Sequence, residues 1–412
     1  MKVEISPVGK INSVIDCPKS KGMTNRALLI SALAKGESEI SNWLDCDDTR
    51  YMMSGLKQFG AQIIEGKALK IKGFNGQPSS PSKEIFTGNS GTTARFLCAV
   101  AALDTNSTIT GDKRMSERPI KDLTDALKQL GAIVETTNGF PPIKISGTAL
   151  KGGKISIKGG TSSQFVSAIL MILPYAQKET ALEIKSVTSR PYIELTLSVM
   201  KEFGAEFAVK GNKITVYPKP YQSRKYIVPG DSPNASYFFA AAAVTKGSVK
   251  VTGIDANSGQ GELKFLDALE LMGCKIERGS GWIKVNGSEL NGISIDMNEM
   301  PDVVQTLAVV AAFAKGKTEI KNVANLRIKE TDRLKAMVAE LRKIGCEAKE
   351  TKKGIIINPG KLKGAVIETY DDHRMAMAFS IAGLAVPGII INEAECVSKT
   401  FPNFFLELKR LK

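Results

Sequence analysis

The chain has 412 residues, of which 43% are hydrophobic and 24% charged, and its net charge is +14 from 56 basic and 42 acidic side chains. This length exceeds the roughly 250–300 residues at which a single core stops growing, so two domains are expected. Six cysteines without C-x-x-C spacing and one histidine exclude a zinc site and a disulfide framework, and no metal or cofactor is expected.

The bulk composition also restricts location and partners. The longest apolar run, FVSAILMILPYA, is shorter than the roughly 20 residues that span a membrane, and the start MKVEISPVGK lacks the apolar core of a signal peptide. A cytoplasmic protein is therefore expected. Many lysines can lie on solvated helix faces, but the charge excess also suits binding of nucleic acid or of small, highly charged anions. Dispersed lysines, 6% aromatic residues and no nucleic-acid-binding motif favour small anions over nucleic acid.

Two interleaved patterns repeat about every 70 residues, which indicates one supersecondary unit used several times. Amphipathic helices are predicted to end near glycines that are 69 to 73 residues apart, namely Gly60, Gly131, Gly204, Gly273 and Gly345. Six apolar helices, the first predicted over 25–34, alternate with them, and β-rich stretches follow each helix. Left-handed glycines are predicted after four of the apolar helices, at Gly36, Gly247, Gly316 and Gly388.

The pattern predicts an α/β fold of six βαβαββ repeats in two similar three-repeat domains. The segment YQSRKYIVPGDSP at 221–233 is the predicted hinge. The N-terminal domain is expected over 17–228, and the C-terminal domain over 1–16 and 229–412, because the first strand can complete the last repeat. The chain then crosses between domains twice.

The loops before the six apolar helices share small and polar residues that suit helix N-termini, where orphan N–H groups favour anions. For the Ser162-Ser163 and Asp231-Ser232 loops taken alone, N-capping is the favoured interpretation over anion binding. It does not explain cations near helix starts, which oppose the dipole, so an anion is expected beside them. These cations are Lys21, Arg26, Arg95 and Arg374.

Ten segments in order resemble the 5-enolpyruvylshikimate-3-phosphate synthase (EPSP synthase) family of enolpyruvyl transferases. They cover nearly the whole chain: K-x-x-x-N-R-A-L (21–28), G-N-S-G-T-T-A-R (88–95), R-M-S-E-R-P-I (114–120), S-S-Q-F (162–165), S-R-P-Y (189–192), G-D-x-x-x-A-S-Y (230–237), M-P-D (300–302), N-x-R-x-K-E-T-D-R (325–333), D-H-R-M-A-M (372–377) and K-T-F-P (399–402). The resemblance implies an inside-out α/β barrel type of fold, with the active site in the cleft between the domains, and a monomer without cofactor. It implies transfer of enolpyruvyl from phosphoenolpyruvate to the 5-hydroxyl of shikimate 3-phosphate, with release of phosphate.

The resemblance also assigns site residues, which are expectations at this stage. The residues implied for phosphoenolpyruvate are Lys21, Gly91, Arg118, Gln164, Arg333, Arg374 and Lys399. Those implied for shikimate 3-phosphate are Gly22, Arg26, Ser162, Ser163, Gln164, Ser189, Tyr192, Asp302, Asn325 and Lys329. Asp302 and Glu330 match the carboxylates that move protons, Lys21 is the alternative proton carrier, and His373 is expected to support Glu330 or Arg374.

Two departures and one rival accompany the resemblance. Family members usually carry Ser after the first lysine, whereas here Gly22 follows Lys21, which removes one hydroxyl contact to the shikimate substrate. The stretch GTTARF also differs from the common G-T-A-M-R form. The rival is the sister enzyme that transfers enolpyruvyl to UDP-N-acetylglucosamine, but its reactive loop cysteine has no counterpart in GDKRMSERP.

Overall fold

The computed structural model describes all residues from 1 to 412, and the chain forms two units. The continuous unit is Lys19–Pro229, and the split unit combines Met1–Pro18 with Gly230–Lys412. The chain therefore passes from one unit to the other after Pro18 and again after Pro229. Every helix is too short or too polar to cross a lipid bilayer.

The continuous unit contains three four-stranded sheets. The first strands of the chain, β1 (Val3–Ile5) and β2 (Asn12–Asp16), belong to the split unit. The continuous unit adds β3 (Glu37–Ser41), β4 (Gln62–Ile64), β5 (Ala68–Lys72), β6 (Ile85–Phe86), β7 (Asn106–Thr110), β8 (Ile133–Thr137), β9 (Phe140–Ser146), β10 (Gly153–Gly159), β11 (Thr180–Val187), β12 (Phe207–Lys210), β13 (Lys213–Val216) and β14 (Lys225–Ile227). The sheet orders are β14-β3-β5-β4, β6-β7-β9-β8 and β10-β11-β13-β12. In each order the first two strands are parallel, and the remaining pairs are antiparallel.

Six helices accompany these sheets and alternate in character. They are α1 (Lys21–Leu33), α2 (Asp47–Gln58), α3 (Gly91–Ala101), α4 (Lys121–Gln129), α5 (Ser163–Ile172) and α6 (Arg190–Glu202). Helices α1, α3 and α5 are buried almost all round, whereas α2, α4 and α6 bury one face. A helix that is buried on all sides must be surrounded by other elements. Helices α1, α3 and α5 therefore form the centre of the unit's core.

The split unit repeats the same sheet pattern. Its further strands are β15 (Ser248–Thr252), β16 (Lys275–Gly279), β17 (Trp282–Asn286), β18 (Ser294–Asp296), β19 (Thr318–Lys321), β20 (Glu347–Thr351), β21 (Gly354–Asn358), β22 (Ala365–Ile367) and β23 (Ile389–Ile391). Its helices are α7 (Ser232–Val244), α8 (Lys264–Leu271), α9 (Val304–Ala311), α10 (Arg333–Lys343), α11 (His373–Gly383) and α12 (Phe404–Lys409). The sheet orders are β2-β15-β17-β16, β18-β19-β21-β20 and the shorter β22-β23-β1. The chain is thus an α/β protein, as the sequence predicts.

The strands that precede α1 and α7 each belong to the unit that the chain is about to leave, not to the unit of the helix that follows. Strand β2 comes directly before α1, but it pairs in parallel with β15 of the split unit. Strand β14 comes directly before α7, but it pairs in parallel with β3 of the continuous unit. The chain therefore crosses to the other unit between β2 and α1, and again between β14 and α7.

The repeated glycines end the amphipathic helices. Each lies two residues after the last residue of α2, α4, α6, α8 or α10 and has a positive φ, between 88° and 114°. This left-handed position follows a helix C-cap, where an L side chain is strained. The prediction for Gly247 was wrong, because Lys246 takes the left-handed position there with φ 51°. A Cβ on Gly247 would lie 2.4 Å from Ile11 O, so close approach to the N-terminal segment explains this glycine.

Candidate active site

Helix α1 begins at Lys21, four residues before its predicted start. Ser20 is its N-cap, and the Ser20 Oγ accepts a hydrogen bond from Met23 N at 3.4 Å. Lys21 is therefore the first residue of the helix. Its Nζ lies 2.9 Å from Asp48 Oδ2, and Asp48, in the first turn of α2, is only 2% exposed. The anion that the dipole argument requires beside Lys21 is thus supplied by the protein itself.

Arg118 and Arg95 lie against the first turn of α3. The Arg118 Nη1 donates to both Asn89 O at 3.0 Å and Asn89 Oδ1 at 2.9 Å, and the guanidinium is buried. Arg95 lies over the ring of Phe165, 5.4 Å from its centroid. A Cβ built on Gly91 would lie 2.2 Å from Arg95 Nη1 and 2.6 Å from Arg118 Nη2. Only glycine leaves room for two guanidinium groups at this helix N-terminus, which suits an anion site.

This geometry predicts a selective effect for Gly91→Ala. The added methyl group must displace one or both guanidinium groups, so we expect KM for phosphoenolpyruvate to rise about tenfold or more, with a smaller change in KM for shikimate 3-phosphate. Steady-state kinetics with each substrate varied in turn measures this. Gly9→Ala is the control, because a Cβ on exposed Gly9 meets no atom within 4 Å. Equal KM values for wild type and Gly91→Ala would show that the helix start does not hold that substrate.

Arg26 joins α1 to α6 through internal hydrogen bonds. Its Nε donates to Thr196 Oγ1 at 2.8 Å, its Nη1 to Gly22 O at 2.9 Å, and its Nη2 to Tyr192 O at 3.2 Å. The side chain is 3% exposed and lies over Phe96. These contacts give Arg26 a structural role, and its contact with substrate stays a prediction. A Cβ on Gly22 would meet Arg26 Nη1 at 3.5 Å, so a larger residue fits there.

The serine positions of the continuous unit have differing local roles. Ser162 is the N-cap of α5, and its Oγ accepts from Gln164 N at 3.3 Å, which supports the capping interpretation. The Gln164 Nε2 donates to Thr92 Oγ1 at 3.0 Å, so the starts of α5 and α3 are joined. Ser163 begins α5 and is buried. Ser189 precedes α6 in a left-handed conformation with φ 54°.

Arg333 is the centre of a charged cluster in the split unit. It is the first residue of α10 and is 1% exposed. Its Nε donates to Asp372 Oδ2 at 2.7 Å, and its Nη2 donates to Asp372 Oδ1 at 3.1 Å. The Nη2 also lies 2.9 Å from Glu330 Oε2, and the Nη1 lies 3.7 Å from Asp302 Oδ1. One buried guanidinium therefore contacts three carboxylates, a use for which its planar fork is suited.

Arg374 completes this cluster from the first turn of α11. Its Nη2 donates to Asp302 Oδ2 at 2.8 Å, and its backbone N–H donates to Asp372 Oδ1 at 2.9 Å. Asp372 is thus both the N-cap of α11 and the partner of Arg333. No role was predicted for Asp372 itself, although it lies within the D-H-R-M-A-M motif.

The electrostatics of the cluster keep both arginines charged. Burial alone lowers the pKa of Arg333, but the charges of Asp372 and Glu330 together raise it above its ordinary value. For Arg374, burial is likewise opposed, chiefly by Asp302, and the pKa is raised. Two buried cations therefore face three carboxylates, and a substrate anion that reaches Arg374 must compete with Asp302.

The remaining predicted residues of the split unit lie on segments next to this cluster. Asn325 is in a 3-10 turn over Ala324–Ile328, and Lys329 directly follows it. His373 is the first residue of α11 and is 1% exposed, with Nδ1 3.8 Å from Asp372 Oδ1. Lys399 ends a 3-10 turn and is 9% exposed.

The two units thus carry different chemistry. The continuous unit brings together buried cations, Gly91 and helix starts, and the split unit brings together the proton-carrying candidates Asp302 and Glu330 with two arginines. Sequence reasoning missed Asp48 and Asn89, which hold Lys21 and Arg118. The only signal for Asp48 is the acidic pair at 47–48, which reads as ordinary helix N-terminal charge.

An α/β protein with buried arginines, paired carboxylates and glycine-lined helix starts belongs to the class of enzymes that act on small, highly charged metabolites. The model of the EPSP synthase (3-phosphoshikimate 1-carboxyvinyltransferase) family matches residues 5–408, and the chain belongs to this family. The 3-phosphoshikimate 1-carboxyvinyltransferase of Shewanella denitrificans is 45% identical over 427 residues, covering 100% of this chain and 99% of the relative. The one from Haemophilus influenzae is 44% identical over 432 residues, with the same coverage.

A solved structure supports the same relationship. The structure of EPSP synthase from Acinetobacter baumannii has a TM-score of 0.83 and 29% sequence identity to this chain. The similarity covers 99% of this chain and 98% of that one. The resemblance inferred from ten motifs is therefore confirmed at the level of the family.

Proposed function

We propose that the protein transfers the enolpyruvyl group of phosphoenolpyruvate to the 5-hydroxyl of shikimate 3-phosphate, giving 5-enolpyruvylshikimate 3-phosphate and phosphate. This is the activity of the family to which the chain belongs, the 3-phosphoshikimate 1-carboxyvinyltransferases of the shikimate pathway to chorismate and the aromatic amino acids. The observation that carries the proposal for this chain's own residues is the cluster in which Asp302 and Glu330 contact Arg333 and Arg374. It combines two proton carriers with two buried cations, which the reaction needs.

The substrates bring two phosphates and two carboxylates, and the cations are proposed to bind them. Lys21, Arg118, Arg333, Arg374 and Lys399 are assigned to phosphoenolpyruvate, together with Gly91 and Gln164. The residues assigned to shikimate 3-phosphate are Gly22, Arg26, Ser162, Ser163, Gln164, Ser189, Tyr192, Asp302, Asn325 and Lys329. Arginine binds carboxylate and phosphate with two parallel hydrogen bonds, which favours a fixed orientation of both substrates. That the clusters of both units serve the same pair of substrates is part of this proposal.

The addition step needs a base and an acid. Asp302 accepts the proton of the 5-hydroxyl, whose oxygen then forms a bond to C2 of phosphoenolpyruvate. Glu330, in its protonated form, gives its proton to the methylene carbon C3, which leaves the Glu330 carboxylate and a tetrahedral ketal phosphate. Asp302 suits the role of base, because its 2.8 Å contact with Arg374 favours an ionised carboxylate.

The elimination step reverses these proton transfers. Glu330 takes a proton back from the C3 methyl group, the C2–O bond to phosphate breaks, and the phosphate leaves with the proton held by Asp302. The C2–C3 double bond is restored, and C2 now carries the 5-oxygen of the shikimate as an enol ether in place of the phosphate. Lys21, at the start of α1, is the alternative proton carrier.

The finer organisation belongs to the same proposal. Six βαβαββ repeats in two three-repeat domains of the inside-out α/β barrel type are supported by the recurring sheet order, in which one parallel pair is followed by antiparallel strands. A cytoplasmic monomer that needs no cofactor is proposed from composition and from the family resemblance.

Phosphate release measures the activity directly. Phosphoenolpyruvate is supplied with shikimate 3-phosphate, with UDP-N-acetylglucosamine or with no acceptor, and we expect release only with the first. Release with the nucleotide sugar would identify the sister activity, and no release with any acceptor would overturn the proposal.

Thiol reagents provide an independent test against the sister enzyme. Burial raises the pKa of Cys46, Cys274 and Cys346 to about 11 and of Cys98 and Cys396 to about 12, and burial with Asp231 raises that of Cys17 further. Thiolates are the reactive form, so the native protein at pH 7.5 is expected to react slowly and to keep its activity. Urea-unfolded protein, in which all six thiols react, is the control. Rapid inactivation that substrate prevents would point to a reactive cysteine mechanism.

A further inference from the structure

The turn that leads into α11 has an unusual backbone. Tyr370 and Asp371 follow β22 and are both left-handed, with φ 56° and 52°. Two consecutive L residues rarely adopt this conformation without glycine, because the Cβ crowds the backbone. The turn is followed at once by Asp372 and Arg374, which form the charged cluster. Contacts elsewhere must hold this backbone in place, since isolated residues favour other conformations.

Glu340 of α10 supplies such contacts. Its side chain is fully buried, and its Oε1 accepts a hydrogen bond from Tyr370 Oη at 2.6 Å. Its Oε2 accepts from Glu368 N at 3.1 Å and lies 2.8 Å from Lys343 Nζ. A buried carboxylate is retained only where charge and hydrogen bonds compensate its lost hydration, and here two of those bonds come from the strained segment.

Helix α10 therefore holds the turn at two points. Arg333 and Glu340 are seven residues apart, which is two helical turns, so they lie on the same face about 10 Å from each other along the axis. Arg333 binds Asp372 at one end of the turn, and Glu340 binds Tyr370 at the other. Because α10 is rigid and contacts the turn at both of its ends, it fixes the backbone of the turn between Tyr370 and Asp372.

We propose that Glu340 and Tyr370 are positioning residues that set the geometry of Asp372 and Arg374, and so of the split unit's part in binding phosphoenolpyruvate. The inference rests on the proposed function for the identity of the substrate. Neither side chain is assigned to a substrate contact. Removing the Tyr370 hydroxyl lets the left-handed turn relax, and Arg374 then loses its fixed placement beside Asp302.

Tyr370→Phe is the decisive variant because it removes one oxygen and retains the ring. Tyr370 is 39% exposed, so the loss of its hydroxyl leaves core packing intact. Hydrogen bonds to charged acceptors are stronger than those between neutral groups, and the Tyr370 hydroxyl donates to the Glu340 carboxylate. We therefore expect the loss of this bond to raise KM for phosphoenolpyruvate about tenfold. KM for shikimate 3-phosphate is expected to rise less than KM for phosphoenolpyruvate, because most of its assigned residues lie in the continuous unit and are untouched.

Hydrogen exchange gives a readout that needs no turnover. We expect the backbone amides of residues 368–374 to exchange faster in Tyr370→Phe than in wild type, with the midpoint of thermal unfolding changed by only a few degrees. Tyr217→Phe is the matched control, since Tyr217 is also 39% exposed and lies in the continuous unit. It is expected to leave both measurements unchanged. Glu340→Gln, which retains the shape but cannot accept both hydrogen bonds, should shift both measurements in the direction of Tyr370→Phe.

The outcomes separate this inference from the proposed function. Wild-type protein that releases no phosphate with shikimate 3-phosphate overturns the proposed function, whereas the exchange comparison still reports on the turn. Unchanged exchange at 368–374 in Tyr370→Phe overturns the positioning role. Faster exchange with an unchanged KM for phosphoenolpyruvate does so as well, because the turn would then be held without consequence for binding.

Discussion

Replacing Glu330 with glutamine is expected to lower kcat by roughly a hundredfold or more while leaving both KM values within about threefold. Glutamine retains the size and the polar oxygen of Glu330 but cannot exchange a proton at catalytic rates. The side chain is 10% exposed and lies 2.9 Å from Arg333 Nη2, so a neutral replacement of equal shape can remain in contact with that guanidinium. Binding should therefore persist when proton transfer to C3 is lost. Steady-state kinetics of phosphate release measures both quantities.

The same assay needs a control that removes a carboxylate from an i,i+3 salt bridge with arginine elsewhere in the chain. Glu407→Gln is suitable, because Glu407 pairs with Arg410 by an i,i+3 salt bridge at the end of α12 and is not among the residues assigned to the site. Its kinetics should equal those of wild type. Glu330→Gln with kcat near the wild-type value would remove Glu330 from the proton-transfer scheme and leave Lys21 as the remaining carrier. A large rise in KM with normal kcat would instead make Glu330 a binding residue.

Solvent exchange provides a second view of the same step. In the proposed addition, Glu330 protonates C3 reversibly, so in deuterated water deuterium should enter the methylene group of phosphoenolpyruvate and of the product during wild-type turnover. Glu330→Gln should lose this incorporation in proportion to its loss of kcat, because one proton transfer underlies both.

The order of elements could be predicted because hydrophobic periodicity and helix-ending glycines are local signals. The glycine at 131, for example, follows α4 by two residues, as a helix C-cap requires. The start of α1 was placed four residues late, since the serine cap and Lys21 interrupt the apolar pattern from which the helix was read. Gly247 was misassigned for a related reason, because a glycine needed for close packing has the same letter as one needed for a left-handed turn.

Partners of the charged residues could not be predicted from local sequence. Lys21 and Asp48 are 27 residues apart, and Arg374 and Asp302 are 72 residues apart. Carboxylates of other elements lie beside Lys21 and Arg374, and the dipole argument could not distinguish a substrate anion from such a carboxylate. Arg26 shows the limit most clearly, because its donors reach α6, which is about 170 residues further along the chain.

Asp372 had no predicted role, yet the structure places it at the centre of the contacts of the charged cluster. It is fully buried, it accepts two hydrogen bonds from Arg333, and it caps α11. A buried ion pair adds little net stability compared with apolar residues, but breaking one partner leaves an uncompensated charge. Asp372→Asn retains an oxygen for the cap and loses the negative charge. We therefore expect the free energy of unfolding to fall by about 3–5 kcal/mol, measured by urea denaturation.

The size of this effect depends on burial, and a matched surface pair tests that reason. Asp125→Asn breaks a salt bridge with Lys121 in which both side chains are about half exposed or more, and it should change the free energy of unfolding far less than Asp372→Asn does. If Asp372→Asn lowered the free energy of unfolding equally little, Glu330 and Asp302 alone would have to compensate the Arg333 charge. The double variant Asp372→Asn with Glu330→Gln tests this. If Glu330 compensates in place of Asp372, then adding Glu330→Gln to Asp372→Asn lowers the free energy of unfolding much more than Glu330→Gln does in the wild type.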